Sequence, residues 1–163
     1  MKSKVYFFNM RAGKPSESIS KKVAKLFDKA GFSEIVAPEK LTAIKIHFGE
    51  RGNNAFINPI YARQVIDKIK QSGGKPFLTD SNTLYKGSRA NGIDHLVTAV
   101  ENGFAYAVVN APLVISDGIY SKDSVDVQIS KKHFDTVKIS SAVYYADSMM
   151  VLSHFKGQAS EGR

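Results

Sequence analysis

Short apolar stretches rich in β-branched residues alternate with helix-periodic stretches along most of this chain, and that alternation limits the fold more than any other feature. Lys4 to Asn9 reads as a first strand, Thr42 to Phe48 as a second and Lys75 to Thr79 as a third. Between them lie two amphipathic segments. The first begins near Ser16, a capping residue, and carries Ile19, Val23, Leu26, Phe27 and Ala30 on one face before Gly31 stops it. The second opens at Asn58-Pro59, carries Ala62, Val65, Ile66 and Ile69, and ends at Gly73-Gly74. A third helix is expected from about Gly92 to Asn102 with Ile93, Leu96, Val97 and Val100 on one face, followed by a short strand over Tyr106 to Val109. The last third changes character. Leu113 to Ser116, Ser124 to Ile129 and Thr136 to Ser140 are short and strand-like. Val125, Val127 and Ile129 alternate with Asp126 and Gln128 as in a half-exposed hairpin. Met149 to Leu152 closes the series as an apolar, buried strand. The pattern predicts an α/β fold, a mostly parallel sheet with helices on its faces plus a small antiparallel hairpin in the last third.

The 163 residues suit one domain, read as a single α/β domain over 1–163. Hydrophobic residues are 43% and charged residues 23%, enough for a packed core and too few charges for a disordered chain. There is no cysteine, so disulfides, thiolate metal sites and a cysteine-held iron–sulfur cluster are excluded from this chain. No apolar run is long enough to span a membrane, and the first residues do not read as a signal peptide, so a cytoplasmic location is expected. The net charge of +8 is unevenly placed. Residues 1–75 hold 15 basic and 6 acidic side chains, giving +9, and the remainder holds 8 and 9. Such a surplus attracts anions, although no nucleic-acid-binding motif accompanies it and nucleic acid is the least favoured partner.

Ligands of open parallel sheets bind beyond the carboxyl ends of the strands. Three polar loops follow expected strands here: His47 to Asn54, Thr79 to Tyr85, and Ser153 to Gly157. If their strands are neighbours, the loops meet on one rim. His47, Asp80 and His154 are the candidate catalytic residues, and Lys45, Glu50, Asn53, Asn82 and Lys156 the candidate ligand-binding residues. The imidazoles suit general acid/base work, the carboxylates suit ligation or proton abstraction, and the ammonium groups suit an anion. His47, Asp80 and His154 are also of the types that bind a divalent metal, although no compact metal motif spaces them. Tyr85, Arg89 and Asn91 lie near enough in sequence to reach the rim, but spacing alone does not place them there. Neither a phosphate-binding loop nor a dinucleotide fingerprint is present. His95 is expected at a helix surface, His133 at the hairpin surface, and Asp117-Gly118 in a turn.

The same loops carry a family resemblance. Ile44-Lys45-Ile46-His47-Phe48-Gly49-Glu50-Arg51-Gly52-Asn53, Gly73 through Tyr85, Ala111 through Gly118, and Ala146 through Gly157 resemble four successive blocks of domain of unknown function 362, a bacterial and archaeal family. The resemblance implies no settled activity. Many members carry a ferredoxin-like segment with two four-iron clusters, which a chain without cysteine does not hold. In the family the last block continues into a further histidine and a glycine-rich segment. Here Gln158 follows Gly157 and the sequence stops at Arg163, so the resemblance implies an incomplete version of the family domain. Asp147 to Gly157 also resembles, faintly, a segment of the lactate racemases, without assigning their cofactor.

Two functions of different class follow. One is an enzyme-like domain binding a small anionic ligand, with a divalent metal as a candidate cofactor. The other is a substrate- or partner-binding module that works with a separate ferredoxin-like redox protein. A homo-oligomer is a further expectation, as a way to cover apolar surface.

Overall fold

The computed structural model describes residues 2–155. Four parallel strands form the central sheet: β1 (Leu41–Ile46), β2 (Lys75–Asp80), β3 (Leu113–Ile115) and β6 (Ser148–Leu152), in the order β3-β2-β1-β6. β4 (Ser124–Gln128) and β5 (Thr136–Ser140) pair antiparallel as a separate hairpin, with Val125 opposite Ile139 and Val127 opposite Val137. The structure is therefore the mixed α/β arrangement that the alternation predicts. No helix among the described residues is long and apolar enough to cross a membrane.

Two helices build the core. α1 (Ile19–Lys29) and α2 (Pro59–Gln71) pack side by side on one face of the sheet. Ile44 and Ile46 of β1 and Leu78 of β2 meet Ala62, Val65, Ile66 and Ile69 of α2 and Phe27 of α1, all buried. Each of the Ile, Leu, Val and Phe side chains contributes roughly 1.5–3 kcal/mol by leaving water. Asn58 caps α2 by accepting from the Ile60 N–H, and Pro59 occupies its first turn, as expected. α1 is capped by Ser18 instead of Ser16, because Pro15–Glu17 forms a separate 3₁₀ turn ahead of it.

The opposite sheet face is less covered. In register across it lie Ala43 beside Phe77 and Met149, and Thr79 beside Val114. The short α5 (Ser141–Tyr144) approaches Phe77 and Val114 here, but Met149 and Val151 remain exposed. Met149 to Leu152 is thus an edge strand with one buried residue at its centre, Met150, and not a buried strand.

Three further expectations are corrected. Lys4 to Asn9 pairs with no strand among the described residues; Val5 is 89% exposed and Phe7 81%. Its backbone partner is a lysine: Lys22 Nζ donates to the carbonyls of Asn9 and Arg11. Tyr106–Val109 is a turn of helix, α4, closed by Asn110 in the left-handed region at φ 63°. A four-residue apolar run satisfies either geometry, and the Asn110 side chain, bonded to Asp67 and Lys70 of α2, settles this one as a helix end. Finally, α3 (Gly92–Glu101) buries His95, expected at the surface, together with Thr98 and Ala99, and leaves Ile93, Val97 and Val100 exposed.

Candidate functional site

β1, β2 and β6 are parallel, and β1 lies between the other two, so the loops after all three leave from the same rim. Two groups of side chains occupy that rim. The first lines a cavity of about 170 Å³ formed by Lys45, His47, Ala55, Leu152, Ser153 and His154. Lys45 and His47 come from β1 and its end; Leu152, Ser153 and His154 come from β6 and its end. His154 is exposed, whereas Lys45 and His47 are half-buried. Two of the three polar loops expected at the rim thus meet at this cavity; the loop after β2 does not line it.

His47 is oriented by its own loop. The Gly49 N–H donates to His47 Nδ1 at 2.9 Å, so in the neutral ring the proton sits on Nε2. That bond needs Gly49 at φ 83°, and a Cβ there would lie 2.6 Å from both the Phe56 ring and the Asn102 amide. Only glycine fits this position. Asn102 in turn donates to the Phe48 carbonyl at 2.9 Å, holding the turn against the end of α3.

The second group is an ion cluster around Asp80, the last residue of β2, with Asp80 and Arg89 buried. Asp80 Oδ1 faces Lys45 Nζ at 3.2 Å and accepts from the Ser81 N–H at 3.1 Å. Asp80 Oδ2 accepts from Arg89 Nη1 at 3.3 Å. Arg89 is itself buried and also holds Glu50, through Nε at 3.0 Å and through Nη2. Tyr85 donates its hydroxyl to Glu50 at 3.0 Å. The Arg89 hydrogen bonds hold the Glu50 carboxyl below the usual range, against partial burial that acts the other way. Burial, with the Glu50 bond second, raises the Tyr85 hydroxyl.

His95 stands behind this cluster, fully buried, its ring edge-on to Phe48 at 5.6 Å. Asn82 fixes its tautomer. The Asn82 amide donates to Asp117 Oδ1 and to the Gly118 carbonyl, which leaves its oxygen to accept from His95 Nδ1 at 3.3 Å. Nε2 is then a lone pair, without a hydrogen-bond partner among the described residues, 3.9 Å from Asp80 Oδ2. Burial pushes the imidazole down to about 4, partly offset by Asp80, so the ring is neutral at pH 7.

The predicted residues therefore separate. Lys45, His47 and His154 share the cavity. Asp80 and Glu50 belong to the ion cluster and reach the cavity through Lys45. Asn82 does not line the cavity; it ties the loop after β2 to the turn at Asp117-Gly118. Asn53 is exposed, and its side chain accepts from the Ala55 N–H at 2.7 Å, bracing the wall of the cavity. Lys156 lies outside the described residues. As a metal set, His47, Asp80 and His154 do not come together: no group of three or more potential ligands forms among the described residues. Asp80 already faces two cations, which opposes a third positive charge beside it. Arg89 and His95 organise the rim although sequence reading did not select them. Arg89 lies in a loop with no periodic signal. His95 interrupts an apolar helix at the spacing of Thr98 and Ala99, a stripe that could have marked it as buried.

The fold and rim define an α/β domain with a polar site at the carboxyl ends of its strands. The chain belongs to the family described as domain of unknown function (DUF362), whose model matches residues 42–162. No curated protein and no solved structure matches it.

Proposed function

We propose that the cavity at the ends of β1 and β6 binds a small anionic ligand, a phosphate or carboxylate, as the ground state of an enzyme-like site. The observation that supports this reading most is the position of Lys45. Its ammonium is drawn to the rim by Asp80 at 3.2 Å, in the wall of a cavity that also holds two imidazoles. An ammonium has three donors, so donors beyond the one directed at Asp80 serve an anion. His47, with its proton on Nε2, and the exposed His154 supply an acid/base pair to whatever the anion is attached to.

Histidine ring signals in heteronuclear NMR test this reading. Titration with inorganic phosphate, pyrophosphate and small carboxylates should move the His47 and His154 signals together, with one saturation curve, and leave buried His95 unmoved. Rings that stay still, or that move without saturating, sink the reading.

A partner-binding module for an acidic, ferredoxin-type redox protein is the alternative, favoured by the +9 surplus of residues 1–75. It predicts an association with reduced ferredoxin that weakens steeply with salt.

A further inference from the structure

Among the described residues no strand pairs with the outer edge of β6, and its five residues contain none of the devices that usually protect such an edge. Ser148-Met149-Met150-Val151-Leu152 has no charge and no proline, and Met149 and Val151 are 42% and 53% exposed. Between this edge and α1 runs an apolar groove of about 430 Å³, lined by Val23, Leu26, Phe32 and Ile35 on one side and Met149 to Leu152 on the other.

The chain holds a segment that matches it. Val5 and Phe7 alternate with Tyr6 and Phe8, a pattern apolar on both faces, as a strand of a covered parallel sheet requires. No backbone–backbone hydrogen bond involves residues 2–13 among the described residues. The segment already runs in the needed direction. Lys29, at the end of α1, lies over the Phe8 ring at 5.9 Å, and Lys22, one residue past the first turn, holds Asn9 and Arg11. Phe8 to Arg11 therefore run antiparallel to α1, and so parallel to the strand that α1 leads into. The topology agrees. A strand beyond β6 that returns through α1 to β1 crosses the sheet in the same direction, on the same face, as β1–α2–β2 does. Both crossovers then have the same hand, as parallel connections do. Nine residues, Met10 to Ser18, join the segment to α1; extended they reach about 30 Å, well beyond a helix diameter of about 10 Å.

We infer that residues 4–9 act as a strap that adds to the free edge of β6 as a fifth parallel strand, and so carries Arg11 to the rim of the cavity. Residues after Asn9 would leave the sheet beside Ser153 and His154, where Arg11 adds a planar, bidentate donor for an anion. The role of Arg11 rests on the anion reading of the cavity; the strand pairing does not.

Hydrogen exchange on the full chain tests the pairing. Every second amide of residues 4–9, the set facing β6, should exchange at least about tenfold more slowly than in the Tyr6→Pro/Phe7→Pro double variant, which removes one donor of each set from exposed positions. The protection should not change with protein concentration, at monomer mass. Free exchange of these amides overturns the strap. Protection that grows with concentration alongside a dimer also overturns it, in favour of strand exchange between two copies. In parallel, Arg11→Met should weaken inorganic phosphate binding about tenfold while the remainder of the chain keeps its protection. Unchanged affinity removes Arg11 from the site. If the wild-type chain binds no phosphate, the anion reading fails and exchange alone decides the strap.

Discussion

Two groups of charged side chains share one rim, and they differ in how many of their bonding positions the fold already fills. Around Asp80 and Glu50, Arg89 directs Nε, Nη1 and Nη2 at carboxylates, and Tyr85 and the Ser81 N–H add further donors. Around the cavity, Lys45 is shared with one carboxylate, and His154 is open to water. A network of mutually bonded polar groups around a buried pair rigidifies a site, whereas polar groups with capacity left over at a cavity serve what enters it. The comparison assigns the cluster to positioning and the cavity to binding.

The largest effect should come from opening the cluster. Arg89→Met leaves Asp80 buried with Lys45 alone and deprives Glu50 of its main partner. Breaking such a pair costs about 3–5 kcal/mol, to be read by urea denaturation. A loss under about 1 kcal/mol would show that these pairs behave as exposed ones.

The second effect depends on pH. Unfolded His95 takes up its proton near 6.5, and the folded ring does so only near 4. The unfolded chain thus binds more protons between these values, and stability falls as pH drops from about 6.5 towards 4. At about 1.4 kcal/mol per unit the loss approaches 3 kcal/mol. Glu50, whose carboxyl is held low, adds its own loss only below its ordinary 4.5, so the two windows separate. His95→Gln should flatten the upper window and leave the lower one. An unchanged upper slope would remove His95 from the account.

Gly49→Ala should cost about 1–3 kcal/mol, from strain at positive φ and the Phe56 contact, and should shift the His47 ring signal. The smallest effect belongs to the cavity itself. His154→Ala should leave stability within about 0.5 kcal/mol, since the side chain is exposed; a larger loss would make His154 part of the scaffold.

How far the sequence reveals this arrangement follows from where the signals are local. β1, β2 and the hairpin announce themselves by period and β-branching, and α2 by Asn58-Pro59 and its apolar stripe. The expectation that the loops meet holds only if their strands are neighbours; the strand order supplies that condition, and Lys45, His47 and His154 line one cavity. Arg89 was not legible, because an arginine in a loop has no period and its burial depends on two carboxylates 9 and 39 residues away. The period of α3 misled, since Ile93, Val97 and Val100 outweigh His95 and Thr98 in any apolar count, while the latter bond to Asn82 and the Ser88 carbonyl inside the fold. Lys4 to Asn9 has the pattern of a strand, but pattern alone does not supply the neighbour it must pair with.

The division between cluster and cavity is tested most directly by calorimetric titration of inorganic phosphate into the wild-type chain and Lys45→Met at low salt. Removing a charge-assisted bond worth about 1.5–3 kcal/mol should weaken binding at least tenfold, with little change in stability because Arg89 still holds Asp80. Equal affinity in the two proteins, or no binding to the wild type, would contradict the assignment of the cavity as an anion site.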